Sequence, residues 1–171
     1  MRIGIGVAAL ILAATGVRAQ ALPPAAADLV GNLSPLEAEH LAVIQRVHAG
    51  GAGLIRRFRE AGLFADSAEW FVAGPPEILP FAGSWHGLKG LADFQQRLDS
   101  TMRYDKVELR EYLVSGNNVA AIFYGEGIAR ATGRPFHSEI LRLYTFRDGK
   151  VIRVRNYYDT ASYVSAVRGE R

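Results

Sequence analysis

The chain contains no cysteine. That removes disulfides, thiol nucleophiles and thiolate metal sites together, so any stable domain must rest on an apolar core. There is little surplus charge. The formal charge is +3, and two of the positive residues, Arg2 and Arg18, lie in the first nineteen residues. Without them the 20 basic residues become 18 against 17 acidic ones, a balance of +1. No nucleic-acid partner is expected from so even a distribution. Arg56-Arg57-x-Arg59 is the only tight basic cluster, and it reads as a solvated helix face. Long apolar runs are scarce as well: Ile3 to Ala14 is apolar apart from its glycines and too short for a comfortable membrane span. The four histidines, His40, His48, His86 and His137, have no ligand-like spacing. No metal and no organic cofactor are therefore expected. Internal repeats, low-complexity segments and signs of a second domain are also lacking.

What the chain does have begins with a leader. Arg2 supplies a positive start, Ile3–Ala14 an apolar centre, and Val17-Arg18-Ala19 a small-residue cleavage site. Residues 1–19 read as a secretory signal peptide cut before Gln20, which places the mature protein in the periplasm or the medium. With no cysteine after the apolar run, lipid anchoring is excluded, and no stable membrane attachment is expected after cleavage. Residues 20–33, rich in Ala and Pro, read as a flexible leader. Residues 34–171 suffice for one domain with an adequate core.

The domain opens with helices. Ser34-Pro35-Leu36-Glu37 is a capping box with proline at the first helical position. It predicts a helix to about Val47 that buries Leu36, Ala42, Val43 and Val47. A glycine-rich break at 49–53 precedes a second short helix, Leu54 to Ala61, with Leu54, Ile55 and Phe58 inward. Glu69–Ala73 reads as a short strand and Gly83-Ser84-Trp85-His86-Gly87 as a turn. Leu88, Leu91, Phe94, Leu98 and Met102 fall at helical spacing and predict one long helix. Four strands follow, about Lys106–Val114, Val119–Ala131, Phe136–Phe146 and Val151–Tyr158. Short turns join them at Gly116-Asn117-Asn118, Thr132-Gly133 and Asp148-Gly149. Gly125 and Gly127 inside a strand fit a bend or bulge. Ala161–Val167 suggests a last short helix. Helices first and a meander after them argue an α+β fold: a cone-shaped, strongly bent antiparallel sheet wrapped around N-terminal helices and one long helix.

Several of these pieces resemble SnoaL-like proteins of the nuclear transport factor 2-like superfamily. They are Phe81-Ala82-Gly83-Ser84-Trp85-His86-Gly87 before the long helix, Thr132-Gly133-Arg134 at one hairpin and Phe146-Arg147-Asp148-Gly149-Lys150 at the next. The closing Arg155-Asn156-Tyr157-Tyr158-Asp159 completes the set. The resemblance runs from about His40 to Val167. It implies a cavity on one side of the sheet, a small hydrophobic molecule as partner, and a homodimer formed through the other side. It does not carry the family's catalytic groups. Compared with the limonene epoxide hydrolase layout, Asn156 stands for the closing-strand Asp. Phe123 and Gly125 stand for the Arg and the other Asp, and Trp70 and Val72 for the Tyr and Asn. Of the ketosteroid isomerase branch, the base is missing from Val72-Ala73-Gly74-Pro75-Pro76, and Phe146 stands where a sheet Asp would be. The SnoaL-type cyclases place a general base near Asn156.

Strand alternation fills in the pocket. Ile152, Val154, Asn156 and Tyr158 form the more apolar face of the last strand and should point to the core. In the preceding strand pattern alone does not choose between faces. The resemblance turns Ile140 and Tyr144 inward, and Arg142 with them. Phe123, Trp70, Trp85 and Phe94 complete the candidate pocket. Arg142 inward needs an anionic partner: a ligand carboxylate or enolate, or a nearby acid such as Glu126. Asn156 reads either as a ligand contact or as a satisfied buried amide. His137 and Glu139 belong to the outer face, His86 to a surface turn, and Asp159 to the cap of the last helix. The function expected is binding, and beyond that isomerising or cyclising, a small hydrophobic molecule. The alternative is a non-catalytic ligand-binding or dimerisation module that has lost the family's acid and base residues.

Overall fold

The computed structural model describes residues 33–49, 57–58 and 60–170. The expected signal peptide, nearly all of the leader and half of the second short helix, Leu54 and Ile55 included, lie outside the described residues. Of that helix, residues 57, 58 and 60 are helical, and the Phe58 side chain is fully buried.

Helix α1 (Pro35–His48) starts as its capping box dictates. Ser34 Oγ accepts from the Glu37 amide, and Glu37 Oε2 accepts from the Ser34 amide at 2.9 Å. The other Glu37 oxygen accepts from the Gly116 amide at 2.9 Å, so the first turn lies level with the end of a hairpin. Leu36 therefore overhangs the sheet and is 49% exposed, not buried as expected. The buried stripe is His40, Leu41, Val43, Ile44, Val47 and His48.

Six strands follow: β1 (Phe64–Val72), β2 (Gly83–His86), β3 (Met102–Ser115), β4 (Asn118–Ala129), β5 (Pro135–Arg147) and β6 (Lys150–Tyr158). Helix α2 (Gly87–Thr101) lies between β2 and β3, and α3 (Thr160–Arg168) closes the chain. The sheet order is β2-β1-β6-β5-β4-β3. The β3–β6 meander is antiparallel throughout, while β1 pairs parallel with β6, so the strongly bent sheet is mixed. Two segments differ from expectation. β1 begins at Phe64 rather than Glu69, and Gly83–His86 is a strand paired with β1 rather than a turn. Its register, Trp70 opposite Trp85, sets α2 down against β1.

The curvature has residue-level causes. β3 carries two register shifts against β4, between Tyr104 and Lys106 and between Leu109 and Glu111. At the first of these a Cβ on Gly127 would lie 1.9 Å from the Arg103 carbonyl oxygen. Only glycine permits that approach, and β3 folds over β4 there. The Asp148-Gly149 turn has positive φ at both positions, 50° and 71°, as a type I′ hairpin requires. A further irregularity between Thr145 and Phe146 leaves Ile152 as an extra residue on β6. It changes the face count: Val151 is fully buried opposite Phe146 and Ile152 is only half-buried, the reverse of plain alternation. Beyond the bulge the alternation resumes, with Val154 and Asn156 inside.

Candidate functional site

The inner faces of β1, β3, β5 and β6, with α2 and α3, line a partly open cavity of about 30 Å³, room for roughly two waters. Phe81, Phe94, Leu98, Ile140 and Val72 form its apolar wall. Tyr104, Tyr158 and Tyr163 form one side, and Arg142 and Asn156 supply its polar end. The tyrosine hydroxyls are engaged: Tyr158 donates to the Ala73 carbonyl at 2.6 Å, and the Tyr104 and Tyr163 hydroxyls lie 2.7 Å apart. Burial pushes all three phenols up, Tyr104 to about 12, so they are neutral side chains at ordinary pH.

The polar end is built from two strands in register. β5 and β6 place Arg142 opposite Asn156. Arg142 Nε donates to Asn156 Oδ1 at 2.7 Å, and Asn156 Nδ2 donates to the Phe71 carbonyl at 3.1 Å. Asn156 is 4% exposed. The Arg142 guanidinium carbon lies 5.2 Å from the centre of the Trp70 ring and 5.4 Å from that of Phe123. These contacts recover part of its desolvation cost. Two buried donors in this region have no acceptor, Arg142 Nη1 and Trp70 Nε1. Glu126, the acid considered for Arg142, accepts instead from the Tyr124 hydroxyl at 2.6 Å.

A second polar cluster lies behind this one. His48 Nδ1 is 2.9 Å from the Tyr112 hydroxyl and Nε2 is 2.8 Å from the Tyr144 hydroxyl. One ring nitrogen carries the proton and donates; the other accepts. Burial first, then the charges of Arg142 and Arg57, hold the His48 pKa well below its ordinary value, so the ring is neutral.

Phe94, Ile140, Arg142, Asn156 and Tyr158 line the cavity. Trp70, Phe123 and Tyr144 are buried in the core and do not line it. Trp85 is half-buried on β2, donates to the Phe81 carbonyl at 3.1 Å and packs 6.5 Å from Phe94. Sequence reasoning missed Val72, Phe81, Leu98, Tyr104 and Tyr163 as cavity walls. It also missed the His48 cluster, for which a signal existed: His40, Ile44 and His48 repeat at the helical spacing of four on one buried stripe. His137, Glu139 and His86 are exposed. Asp159 caps α3, accepting from the amides of Ala161 and Ser162. Among the described residues no group of three metal-ligating side chains converges.

The SnoaL-like domain family matches residues 41–154. The chain belongs to the SnoaL-like family. An NTF2-like protein from Burkholderia xenovorans LB400 shares 24% identity over 77% of this chain and 97% of its own, with a TM-score of 0.62. A protein described as a SnoaL-like polyketide cyclase, from Jannaschia sp. CCS1, shares 17% identity over 82% of this chain and 99% of its own, with a TM-score of 0.65. TerC, co-crystallised with polyporic acid, shares 17% over 76% and 98%, with a TM-score of 0.60. No curated protein matches. At these identities the solved structures share the fold. Where the resemblance to the epoxide hydrolase layout expects an Asp-Arg-Asp set, this SnoaL-like chain has Asn156 at the polar end of the cavity and Gly125 in a buried strand position for the two acids, and Phe123 in the core for the Arg. Among the described residues, no side chain lining the cavity is a carboxylate or a histidine.

Proposed function

We propose that this SnoaL-like domain binds a small hydrophobic molecule with one polar end, and that binding rather than turnover is its role. The carrying observation is the cavity itself: aromatic and aliphatic walls converging on a single polar pair, Arg142 and Asn156. That combination is the usual form of a small-molecule site. Isomerisation or cyclisation by proton transfer needs a general base within reach of the substrate. Asn156 cannot serve as one, and the lining tyrosines are held neutral. The cavity is small as it stands. Leu98 and Tyr104 are only part-buried at its edge, and a bound ring enters by displacing them.

Titration with fluorobenzene, followed by fluorine NMR, tests the pocket. Wild-type protein is expected to bind it, and a folded Ile140→Arg variant is expected to lose it because the new side chain fills the space. No binding to wild type, or undiminished binding to the folded variant, refutes the pocket.

Two further parts of the proposal concern context. The signal-peptide pattern of residues 1–19 supports export to the periplasm or medium without lasting membrane attachment. The outer sheet face supports a homodimer: Leu113, Ala120 and Leu143 lie side by side across three strands, and Leu113 and Tyr157 are 48% and 41% exposed. Intact mass of the exported protein and its sedimentation behaviour check these two points.

A further inference from the structure

We propose that the ligand of this pocket is an anion: a planar carboxylate or enolate on an apolar ring, docked against the Nη edge of Arg142. The proposal rests on the small-molecule reading above and adds the charge of the molecule bound.

Arg142 is a cation set among buried side chains that hold no anion. The buried polar or charged residues among those described are His40, His48, Ser138 and Asn156, none of them acidic. Arg142 as a residue is half-buried, with Nη1 fully covered; a cation drawn out of water ordinarily recovers its lost hydration from a carboxylate, and leaving it without one is costly. Here the side-chain acceptor for Nε is a neutral amide, Asn156 Oδ1. That bond fixes the plane of the guanidinium without neutralising it. The rings of Trp70 and Phe123 lie close to the same group. Nε is committed and the Tyr144 hydroxyl also borders the guanidinium; on the Nη edge, Nη1 is buried without a partner and is open to a further acceptor. A carboxylate or enolate oxygen matches that edge in geometry and charge. The apolar walls, Phe81, Phe94, Leu98 and Ile140, then take the ring. The protein supplies the cation and the slot; the ligand supplies the missing anion. Ligand-free protein bears the cost as lost stability, a common cost of a binding site.

The test uses the full chain and two near-isosteric probes, 4-fluorobenzoate and 4-fluorobenzamide, titrated at neutral pH and read by fluorine NMR. The anion is expected to bind about tenfold tighter than the amide, the usual gain of a charge-assisted over a neutral hydrogen bond. Lowering the pH through the probe's own carboxyl pKa should erase the difference. Acetate, which keeps the head and lacks the ring, should bind far more weakly than 4-fluorobenzoate. In Arg142→Met the preference should vanish, and the unliganded variant should melt at a higher temperature than wild type. If that variant fails to fold, Arg142→Lys carries the same test: it keeps the charge, loses the planar edge, and should bind the anion less well. Equal affinity for the two probes overturns the anionic ligand and leaves the pocket standing. No binding of either probe overturns both. A preference that survives in Arg142→Met, or that is undiminished in Arg142→Lys, overturns the assignment to Arg142, and acetate binding as well as 4-fluorobenzoate overturns the apolar ring.

Discussion

The His48 cluster and the Arg142 cluster both lie inside this sheet, and they are finished differently. In the His48 cluster both ring nitrogens have a tyrosine partner, and every member is neutral. In the Arg142 cluster the cation has an amide partner, borders the Tyr144 hydroxyl of the first cluster, and keeps one buried N–H left over. The first satisfies itself and needs no visitor. The second is incomplete without an acceptor from outside. Residues of nearby strands thus separate into a structural network and a binding one, and the distinguishing feature is hydrogen-bond completeness, not burial.

Breaking the finished cluster should have the largest effect. His48→Ala strands two buried hydroxyls and leaves a hole among Tyr112, Phe123 and Tyr144. The expected loss is about 3 kcal/mol, from one cavity and unsatisfied polar groups. Urea unfolding of wild type and variant measures it. A loss under about 1 kcal/mol would show that water or repacking replaces the ring, and the cluster would then not be the structural one.

The same cluster should make stability depend on pH. The folded His48 pKa is depressed while the unfolded ring titrates near 6.5. Below that value the unfolded chain binds a proton that the folded one refuses. The stability from a neutral His48 is therefore full above about 6.5 and is lost as pH falls from there toward the folded value. The slope contributed by this one group reaches about 1.4 kcal/mol per pH unit. His48→Gln should flatten the profile between pH 7 and pH 5. Glu37 titrates in a separate, lower window: Gly116 and Ser34 hydrogen bonds hold its exposed carboxyl down at about 2, so its contribution is present above 4.5 and fades below. An unchanged slope in His48→Gln would assign the dependence to other groups.

Much of the scaffold was legible because local rules agreed with the global fold. The capping box at Ser34, the helical spacing from Leu88 to Leu98 and the Asp148-Gly149 turn each specify their element alone. What escaped were features set by partners distant in sequence. Gly83–His86 reads as a turn because nothing local announces that β1 will pair with it. The parallel contact of β1 with β6 joins segments some eighty residues apart along the chain. Plain alternation puts Ile152 inward, and the bulge opposite Thr145 and Phe146 gives that role to Val151. At the site, Arg142 and Asn156 could be found because period-two counting holds beyond the bulge. Tyr104 and Tyr163 could not, since a bulged strand and a terminal helix bring them together through tertiary packing. The His48 cluster carries no metal-ligand spacing; its only local sign is the helical repeat of His40, Ile44 and His48.

The smallest effect is the sharpest test of the open cluster. Asn156→Asp is nearly isosteric and installs the residue type the family expects, yet should change stability at neutral pH by less than about 1 kcal/mol. Two neighbours pull its pKa in opposite directions. Arg142 Nε, 2.7 Å from the present Oδ1, favours the carboxylate. The Phe71 carbonyl, which now accepts from Nδ2 at 3.1 Å, favours the protonated acid, since only that form can donate to it. The bond to the cation is the stronger, because one partner is a full charge and the other a dipole. The new carboxyl should therefore titrate below the roughly 3.9 of a free Asp. With its folded pKa depressed, it adds stability above that reference, and the gain disappears as pH falls through the folded value. Adding Arg142→Met removes the cation and leaves burial and the carbonyl. The pKa should then rise above the reference, and the sign reverses: stability is full below the unfolded pKa and is lost as pH climbs through the folded one. Carboxyl carbon NMR on the single and double variants reads both values. If the two titrate alike, Arg142 does not govern this end of the cavity, and its unpartnered N–H is no guide to what the pocket binds.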